Sequence, residues 1–220
     1  MQKAAERSGR GSSEIVLVAV SKKFSADRIR EAYGAGLREF GENYVQEFAE
    51  KRPQLEDLTG ARFHLIGHLQ SNKAAQACEL FEVIQTADST RLLKRLERAA
   101  AERGSPTEVL LEIKLSDEEA KSGAEPSELP ELMKTARGCS GIRVTGLMTM
   151  PPWSEDAEQS RPYFRRLAQL GREYGLPGLS MGMSNDFEVA IEEGATVVRV
   201  GTALFGGRPK PEQKATPLAS

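Results

Sequence analysis

The first apolar run of the chain reads Ile15-Val16-Leu17-Val18-Ala19-Val20 and is followed directly by Ser21-Lys22. The run is short, continuous and rich in β-branched residues, which is typical of a strand buried on both faces of a parallel sheet. A helical pattern follows, because Ser25 can cap a helix that ends near the glycines Gly34 and Gly36. The chain therefore begins with a β-strand followed by an α-helix.

The same strand and helix alternation continues to the end of the chain. Further strands are predicted at residues 38–40, 63–66, 81–86, 108–114, 142–148, 179–181 and 196–200. Helices are predicted between them at residues 43–58, 72–79, 89–103, 127–137, 155–174 and 185–193. Eight such units predict an α/β fold, a single-domain (β/α)8 TIM barrel, and 220 residues lie near the lower end of its size range. An open, doubly wound sheet is the alternative.

This length leaves little chain for a second domain. We expect a short N-terminal segment over residues 1–13, the barrel over residues 14–207 and a tail over residues 208–220. The tail contains three prolines and few apolar residues, a composition that predicts disorder.

Charge and cysteine content exclude several classes of protein. Thirty Lys and Arg residues against 32 Asp and Glu residues give a net charge of −2, which provides no basic field for nucleic acid or an anionic membrane. Two cysteines form neither a disulfide framework nor a zinc ligand set. No apolar run approaches the ~20 residues that span a bilayer, and residues 1–13 lack the apolar core of a signal peptide. We therefore expect a soluble cytoplasmic protein without a metal.

Lys22 is the first candidate functional residue, because it follows the first strand. Active sites of TIM barrels lie at the carboxyl ends of the strands. A lysine that is partly desolvated there loses its proton more readily and can attack a carbonyl group to form a Schiff base. A surface lysine of the kind that Lys23 represents fits the same spacing, so the spacing alone leaves both interpretations open.

The last two strand ends carry residues suited to phosphate. Gly201-Thr202 precedes a single helical turn at residues 203–205, whose free N–H groups can bind a phosphate, and Ser184 can add a hydroxyl. Loops after the seventh and eighth strands bind phosphate in many TIM barrels. The alternative is ordinary chain turning, with Asn185 and Glu188 as a helix-capping pair.

Arg199 lies inside the eighth strand, where burial of a charge is costly without a compensating partner. Closure of the barrel places this strand beside the first, so that Arg199 and Lys22 can converge with the phosphate loop. A carbonyl-reactive lysine, a phosphate site and a buried cation together suit pyridoxal 5′-phosphate (PLP). An arginine paired with a carboxylate inside the barrel is the alternative.

Six motifs of the chain resemble those of the pyridoxal phosphate homeostasis proteins of the YggS/PROSC type. They are Ala19-Val20-Ser21-Lys22, residues 40–47 (FGENYVQE), residues 64–73 (HLIGHLQSNK), Gly146-Leu147-Met148, residues 179–184 (LSMGMS) and residues 198–202 (VRVGT). The resemblance extends from about residue 14 to residue 207 and depends on the order of the motifs as much as on each of them.

The resemblance implies a fold-type III PLP barrel, similar to the N-terminal domain of alanine racemase but without its second, β-rich domain. It implies that Lys22 forms the internal aldimine and that Arg199 faces the pyridine nitrogen. The remaining cofactor-binding residues that it implies are Ser184, Gly201 and Thr202 at the phosphate, and Asn43, Met148 and His64. Family members usually carry a longer helix before the first strand than residues 1–10 provide.

The resemblance also implies a role in vitamin B6 homeostasis, as a carrier that holds PLP and passes it to PLP-dependent apo-enzymes without substantial catalysis. PLP stabilises carbanions best when an acid protonates its ring nitrogen, and an arginine cannot do so. Without a second, dimer-forming domain we expect a monomer. Two alternatives remain: an amino-acid racemase or lyase that uses Lys22 as its base, and a phosphosugar-binding barrel enzyme.

Overall fold

Eight parallel strands close into a barrel in the order β1 to β8, and β8 pairs with β1. The computed structural model describes residues 1–116, 118 and 122–207. The strands are β1 (Val16–Val20), β2 (Glu39–Glu42), β3 (Arg62–Leu65), β4 (Val83–Ala87), β5 (Thr107–Glu112), β6 (Ile142–Met148), β7 (Gly178–Ser180) and β8 (Val197–Val200). The predicted TIM barrel is confirmed, and the pairing of β8 with β1 excludes the open sheet.

Helices surround the barrel, because each strand is joined to the next by a segment with an apolar face. They are α1 (Gln2–Arg7), α2 (Ala26–Gly34), α3 (Val45–Lys51), α4 (Ala74–Leu80), α5 (Thr90–Arg103), α6 (Leu129–Arg137), α7 (Arg161–Tyr174), α8 (Phe187–Glu192) and α9 (Thr202–Phe205). No helix in the described part of the chain is both long enough and apolar enough to cross a membrane.

The sequence pattern placed some element ends wrongly. The helix predicted over residues 43–58 is divided into α3 and a 3-10 helix at Arg52–Leu55, because Pro53 cannot donate an interior hydrogen bond. The strand predicted to continue to residue 114 ends at Glu112. The predicted disordered tail over residues 208–220 lies outside the described residues.

The residues before β1 include the short helix α1, which packs against α8. Ala4 and Ala5 are fully buried. Arg7 forms ion pairs of 2.7 Å with both Glu188 and Glu192, and Arg10 donates a hydrogen bond of 2.8 Å to the carbonyl of Ala195. Residues 1–13 therefore make specific contacts with α8 and with the loop between α8 and β8.

Most of the apolar core lies between the strands and the surrounding helices. Four phenylalanines form one such layer, with ring centroids 5.7 Å apart for Phe40 and Phe63, 4.7 Å for Phe48 and Phe63, and 4.8 Å for Phe48 and Phe81. All four rings are fully buried. This layer fixes α3 against β2 and β3, and so supports the loops that follow these strands.

Candidate functional site

A cavity of about 330 Å³ opens at the carboxyl ends of the strands. This is the size range of pockets that bind small ligands and cofactors. Its wall contains six of the eight residues expected at the cofactor site: Lys22, Asn43, Ser184, Arg199, Gly201 and Thr202. The other lining residues are Val20, Ile66, Met150, Pro152, Trp153, Ser154, Met183, Asn185 and Asp186.

Lys22 lies in the turn that follows β1 and is half-buried in the cavity wall. The preceding residue, Ser21, is fully buried, and its backbone N–H donates to the carbonyl of Gly41 at 2.9 Å. Lys23 is exposed and does not line the cavity. The two consecutive lysines therefore have different surroundings, and only Lys22 combines partial burial with access to the cavity.

Arg199 is 3% exposed and is held by polar groups rather than by an ion pair. Its guanidinium donates to the hydroxyl of Ser180 at 2.5 Å and to the carbonyl of Thr149 at 2.9 Å. No described carboxylate lies within ion-pair distance of it, so the predicted alternative of a direct carboxylate partner is wrong for that part of the chain. Burial lowers the pKa of Arg199 to about 10, against the opposing charges of Glu112 and Asp186. Arg199 therefore remains a cation at neutral pH.

A chain of buried hydrogen bonds leads from Arg199 to His64. The hydroxyl of Ser180 donates to Oε1 of Gln85 at 2.6 Å, and Nε2 of Gln85 lies 2.8 Å from Nδ1 of His64. On its other side, Nε2 of His64 lies 2.6 Å from Oε2 of Glu39. With His64 protonated on Nε2 only, every donor in this chain has an acceptor.

The structure does not bring His64 and Met148 to the cavity wall. His64 is buried in the chain of hydrogen bonds just described. Met148 is fully buried and contacts Val83 and Leu110, while Met150, two residues further along, lines the cavity instead. Both residues lie on the strands themselves, whereas most of the wall is built from the loops that follow.

The loops after β7 and β8, which the sequence predicts to bind phosphate, lie together on one side of the cavity. The backbone N–H of Gly201 donates to the hydroxyl of Ser184 at 3.3 Å, and Thr202 is the first residue of the single-turn helix α9. Asp186 fixes the neighbouring loop, because its carboxylate accepts from the N–H of Met183 at 2.7 Å and from the hydroxyl of Ser160 at 2.8 Å. These contacts hold the loop that carries Ser184 beside β8.

The predicted capping pair at α8 does not form. Asn185 donates to the carbonyl of Ser154 at 2.8 Å, which joins the loops after β6 and β7. Glu188 instead pairs with Arg7, and Asp186 occupies the N-cap position. Asn185 therefore shapes the cavity rather than the helix start.

Asn43 supplies an acceptor that the protein leaves without a donor. Its Oδ1 is buried and has no hydrogen-bond partner in the described part of the chain. Gly67 packs tightly against the backbone of Asn43, since a Cβ at residue 67 would lie 2.3 Å from the backbone carbonyl oxygen of Asn43. A buried acceptor without a donor is costly unless a ligand or water supplies one, and Asn43 lines the cavity.

Glu112 is a polar residue at this end of the barrel that sequence reasoning missed. It is 2% exposed, and its Oε2 has no hydrogen-bond partner among the residues that the structure describes. Burial, followed by the charge of Asp88, raises its pKa to about 7, although the charge of Arg199 opposes the shift. Glu112 lines a second cavity of about 370 Å³, which shares Met150, Trp153 and Met183 with the first. Glu112 lies within β5, so the rule that selected Arg199, a charge within an otherwise apolar strand, would have found it.

Comparison with known proteins agrees with this geometry. The family model described as alanine racemase, N-terminal domain, matches residues 2–209. The pyridoxal phosphate homeostasis protein of Aquifex aeolicus is 45% identical over 214 residues, which cover 94% of this chain and 93% of that protein. The protein of the same name from Escherichia coli K12 is 43% identical over 212 residues, covering 93% and 91%.

Solved structures with similar folds include a relative of the same family and an alanine racemase. PipY of Synechococcus elongatus PCC7942, solved with PLP bound, superposes with a TM-score of 0.82 at 40% identity and covers 93% of this chain and 98% of that one. An alanine racemase of Clostridium difficile superposes with a TM-score of 0.74 at 12% identity, and this chain covers 56% of its length, so this second likeness concerns the fold alone. On its sequence, its barrel and its relatives, the chain belongs to the pyridoxal phosphate homeostasis protein family, which shares the fold of the alanine racemase N-terminal domain.

Proposed function

We propose that this protein binds PLP in the cavity of about 330 Å³ and serves in vitamin B6 homeostasis as a carrier of the cofactor. The observation that carries the proposal is the meeting of a half-buried lysine, a buried cationic arginine and a phosphate-type loop in one wall. The PLP-bound structure of PipY, a relative at 40% identity, supports it. The buried, unpartnered Oδ1 of Asn43 also fits a bound group that supplies a hydrogen-bond donor.

Each cavity residue would have a distinct part in binding. The amine of Lys22 would condense with the aldehyde of PLP and release one water. Ser184, Gly201 and Thr202 would hold the phosphate through a hydroxyl and backbone N–H groups, as helix starts and adjoining loops commonly do. Arg199 would lie at the pyridine nitrogen and Asn43 beside the ring. We assign His64 an indirect part, through Gln85 and Ser180, and Met148 a part in packing under the site.

The residues around the cavity favour binding over catalysis. When bound, PLP acts as an electron sink, most strongly when its ring nitrogen is protonated. Because Arg199 is a cation, it cannot accept a proton from the ring nitrogen, and its charge disfavours a second positive charge on the ring. Tyrosine could serve as an acid or base, but no tyrosine in the described chain lines the cavity. We therefore propose a carrier that passes PLP to apo-enzymes, acting as a monomer.

Lys22→Ala should abolish covalent attachment of PLP. We expect borohydride reduction of the wild-type protein mixed with PLP to leave one pyridoxyl group on Lys22, found by mass spectrometry of the digested chain. The visible absorbance of the complex should disappear in Lys22→Ala and persist in the control Lys23→Ala, because Lys23 is exposed and does not line the cavity. An unmodified Lys22 in the wild type would contradict the proposal and favour a phosphosugar-binding barrel.

The PLP-loaded protein should not exchange the α-hydrogen of amino acids faster than free PLP does. We expect this because Arg199 is a cation and because no tyrosine among the described residues lines the cavity. Exchange is followed by nuclear magnetic resonance in deuterated water across a panel of L- and D-amino acids. Stereospecific exchange that vanishes in Lys22→Ala would instead support the racemase or lyase alternative, with Lys22 as the base.

A further inference from the structure

A buried ion-pair cluster lies next to the turn that carries Lys22, and none of its members lines the cavity. It consists of Glu42, Glu47 and Lys51, and is called here the Lys51 cluster. Nζ of Lys51 lies 3.2 Å from both carboxylate oxygens of Glu42 and 2.6 Å from Oε1 of Glu47. Glu42 is fully buried at the end of β2, and Lys51 is 9% exposed at the end of α3.

The Lys51 cluster holds the residues on both sides of Lys22. Before it, the hydroxyl of Ser21 donates to Oε1 of Glu42 at 2.7 Å, and the Ser21 carbonyl accepts from Lys51 at 3.4 Å. After it, the backbone N–H of Lys23 donates to Oε1 of Glu47 at 2.6 Å. One connected set of charges therefore fixes both ends of the short turn from which the Lys22 side chain extends.

The backbone of that turn requires such support. Lys23 has a φ of +66°, the only positive φ among the described non-glycine residues. A left-handed conformation is unfavourable for a residue with a Cβ and persists only where the surroundings impose it. The hydrogen bond from Lys23 to Glu47 is such a constraint, and Lys51 in turn holds Glu47.

We propose that Lys51 is a positioning residue for Lys22: through Glu42 and Glu47 it holds the turn at residues 21–23 so that the Lys22 amine is presented to the cavity. This inference depends on the proposed attachment of PLP to Lys22. Removal of Lys51 would leave the Glu42 carboxylate buried without a counter-charge, an arrangement that proteins avoid by protonation or movement of the group. Either response disturbs the hydrogen bond from Ser21 to Glu42, and the bond from Lys51 to the Ser21 carbonyl is lost with Lys51 itself. Burial already raises the pKa of Glu42, and the charge of Lys51 is the main influence opposing that rise.

The test separates attachment at Lys22 from binding to the rest of the cavity. Pyridoxamine 5′-phosphate has no aldehyde, so it probes the cavity without condensing with Lys22. We expect Lys51→Met to slow the covalent attachment of PLP by ~10²-fold, the effect of displacing a reacting group by about 1 Å. The affinity of Lys51→Met for pyridoxamine 5′-phosphate should change by less than about threefold. A change of about 1.4 kcal/mol in the binding free energy would be tenfold. Lys51→Arg, which retains the charge, should recover most of the attachment rate.

Two controls complete the design. Lys134→Met, on an exposed face of α6, should behave as the wild type. Glu47→Gln removes one negative charge of the Lys51 cluster, weakening the contacts of Glu47 with Lys51 and the Lys23 N–H, and leaves no fully buried charge unpaired. It therefore provides the same test if Lys51→Met does not fold. We expect Glu47→Gln to slow attachment by about tenfold, which corresponds to a rise of about 1.4 kcal/mol in the activation free energy.

Three results would overturn the assignment of Lys51. The first is attachment at the wild-type rate in both Lys51→Met and Glu47→Gln. The second is an equal loss of pyridoxamine 5′-phosphate binding, which indicates collapse of the whole site. The third is failure of Lys51→Arg to restore attachment. Failure of the proposed function is distinct, since the wild-type protein itself would then show no attachment at Lys22.

Discussion

Glu112→Gln should abolish a loss of stability of about 3 kcal/mol that the wild-type protein suffers as the pH rises from 4.5 to about 7. Burial raises the pKa of Glu112 from 4.5 to about 7 in the folded protein. Each unit of pKa difference between the folded and unfolded states corresponds to about 1.4 kcal/mol. The side chain is 2% exposed, so solvent screening reduces this effect little.

The sign of the effect follows from which state binds the proton more strongly. Below 4.5, the ordinary pKa of the group, Glu112 is protonated in both states and contributes no penalty. As pH rises, the unfolded chain releases its proton first, and folding must then retain a proton or bury a charge. The penalty grows between 4.5 and about 7 and is complete above that range. Glutamine has no charge at any of these pH values.

The measurement is urea unfolding of the cofactor-free protein at several pH values. The difference between variant and wild type should grow with pH across this range, because other titrating groups cancel in the subtraction. Glu50→Gln, an exposed substitution in α3, serves as the control and should change stability by less than about 0.5 kcal/mol. Parallel curves for Glu112→Gln and the wild type would show that Glu112 is ionised at no cost, against the expectation from its burial.

The barrel was predictable from sequence because short segments with apolar residues alternate along the chain with helical patterns, even though strands such as β2 and β3 also carry charged residues. The rule that barrel sites lie at strand ends then selected Lys22 and the Gly201-Thr202 turn without any structural information. Arg199 was predictable as a charge within an otherwise apolar strand. These features are local in the sequence, so a single pass along the chain finds them. Asn43 also follows a strand, but only the family motif assigned it to the cofactor.

Other features depend on contacts between distant parts of the chain. Gln85 and Ser180 are joined by a hydrogen bond across 95 positions, and nothing in either strand predicts that contact. His64 was expected at the cofactor from the family motif, but its depth within the barrel is set by strand register. Lys51 has the sequence context of an ordinary lysine in the last turn of a helix, and its role is visible only beside the Lys22 turn.

Gln85→Leu should cost about 2–5 kcal/mol in the free energy of unfolding at neutral pH, because it leaves two buried polar groups without partners. Gln85 is fully buried and joins Ser180 to His64. Leucine has a similar size, so the loss arises from hydrogen bonding rather than from an empty cavity. Ser180 would then lack an acceptor for its hydroxyl, and Nδ1 of His64 would lack a donor.

The same substitution should weaken the hold on Arg199, whose guanidinium donates to Ser180. A double-mutant cycle of Gln85→Leu with Ser180→Ala, measured by urea unfolding, tests this connection, with the exposed Gln46→Leu as the control. We expect the combined loss to be smaller than the sum of the single losses by about 0.5–3 kcal/mol, the range for residues in one hydrogen-bond network. Additive losses would contradict a continuous chain from Arg199 to His64. They would leave His64 as a buried residue satisfied by Glu39, with no energetic connection to the cavity.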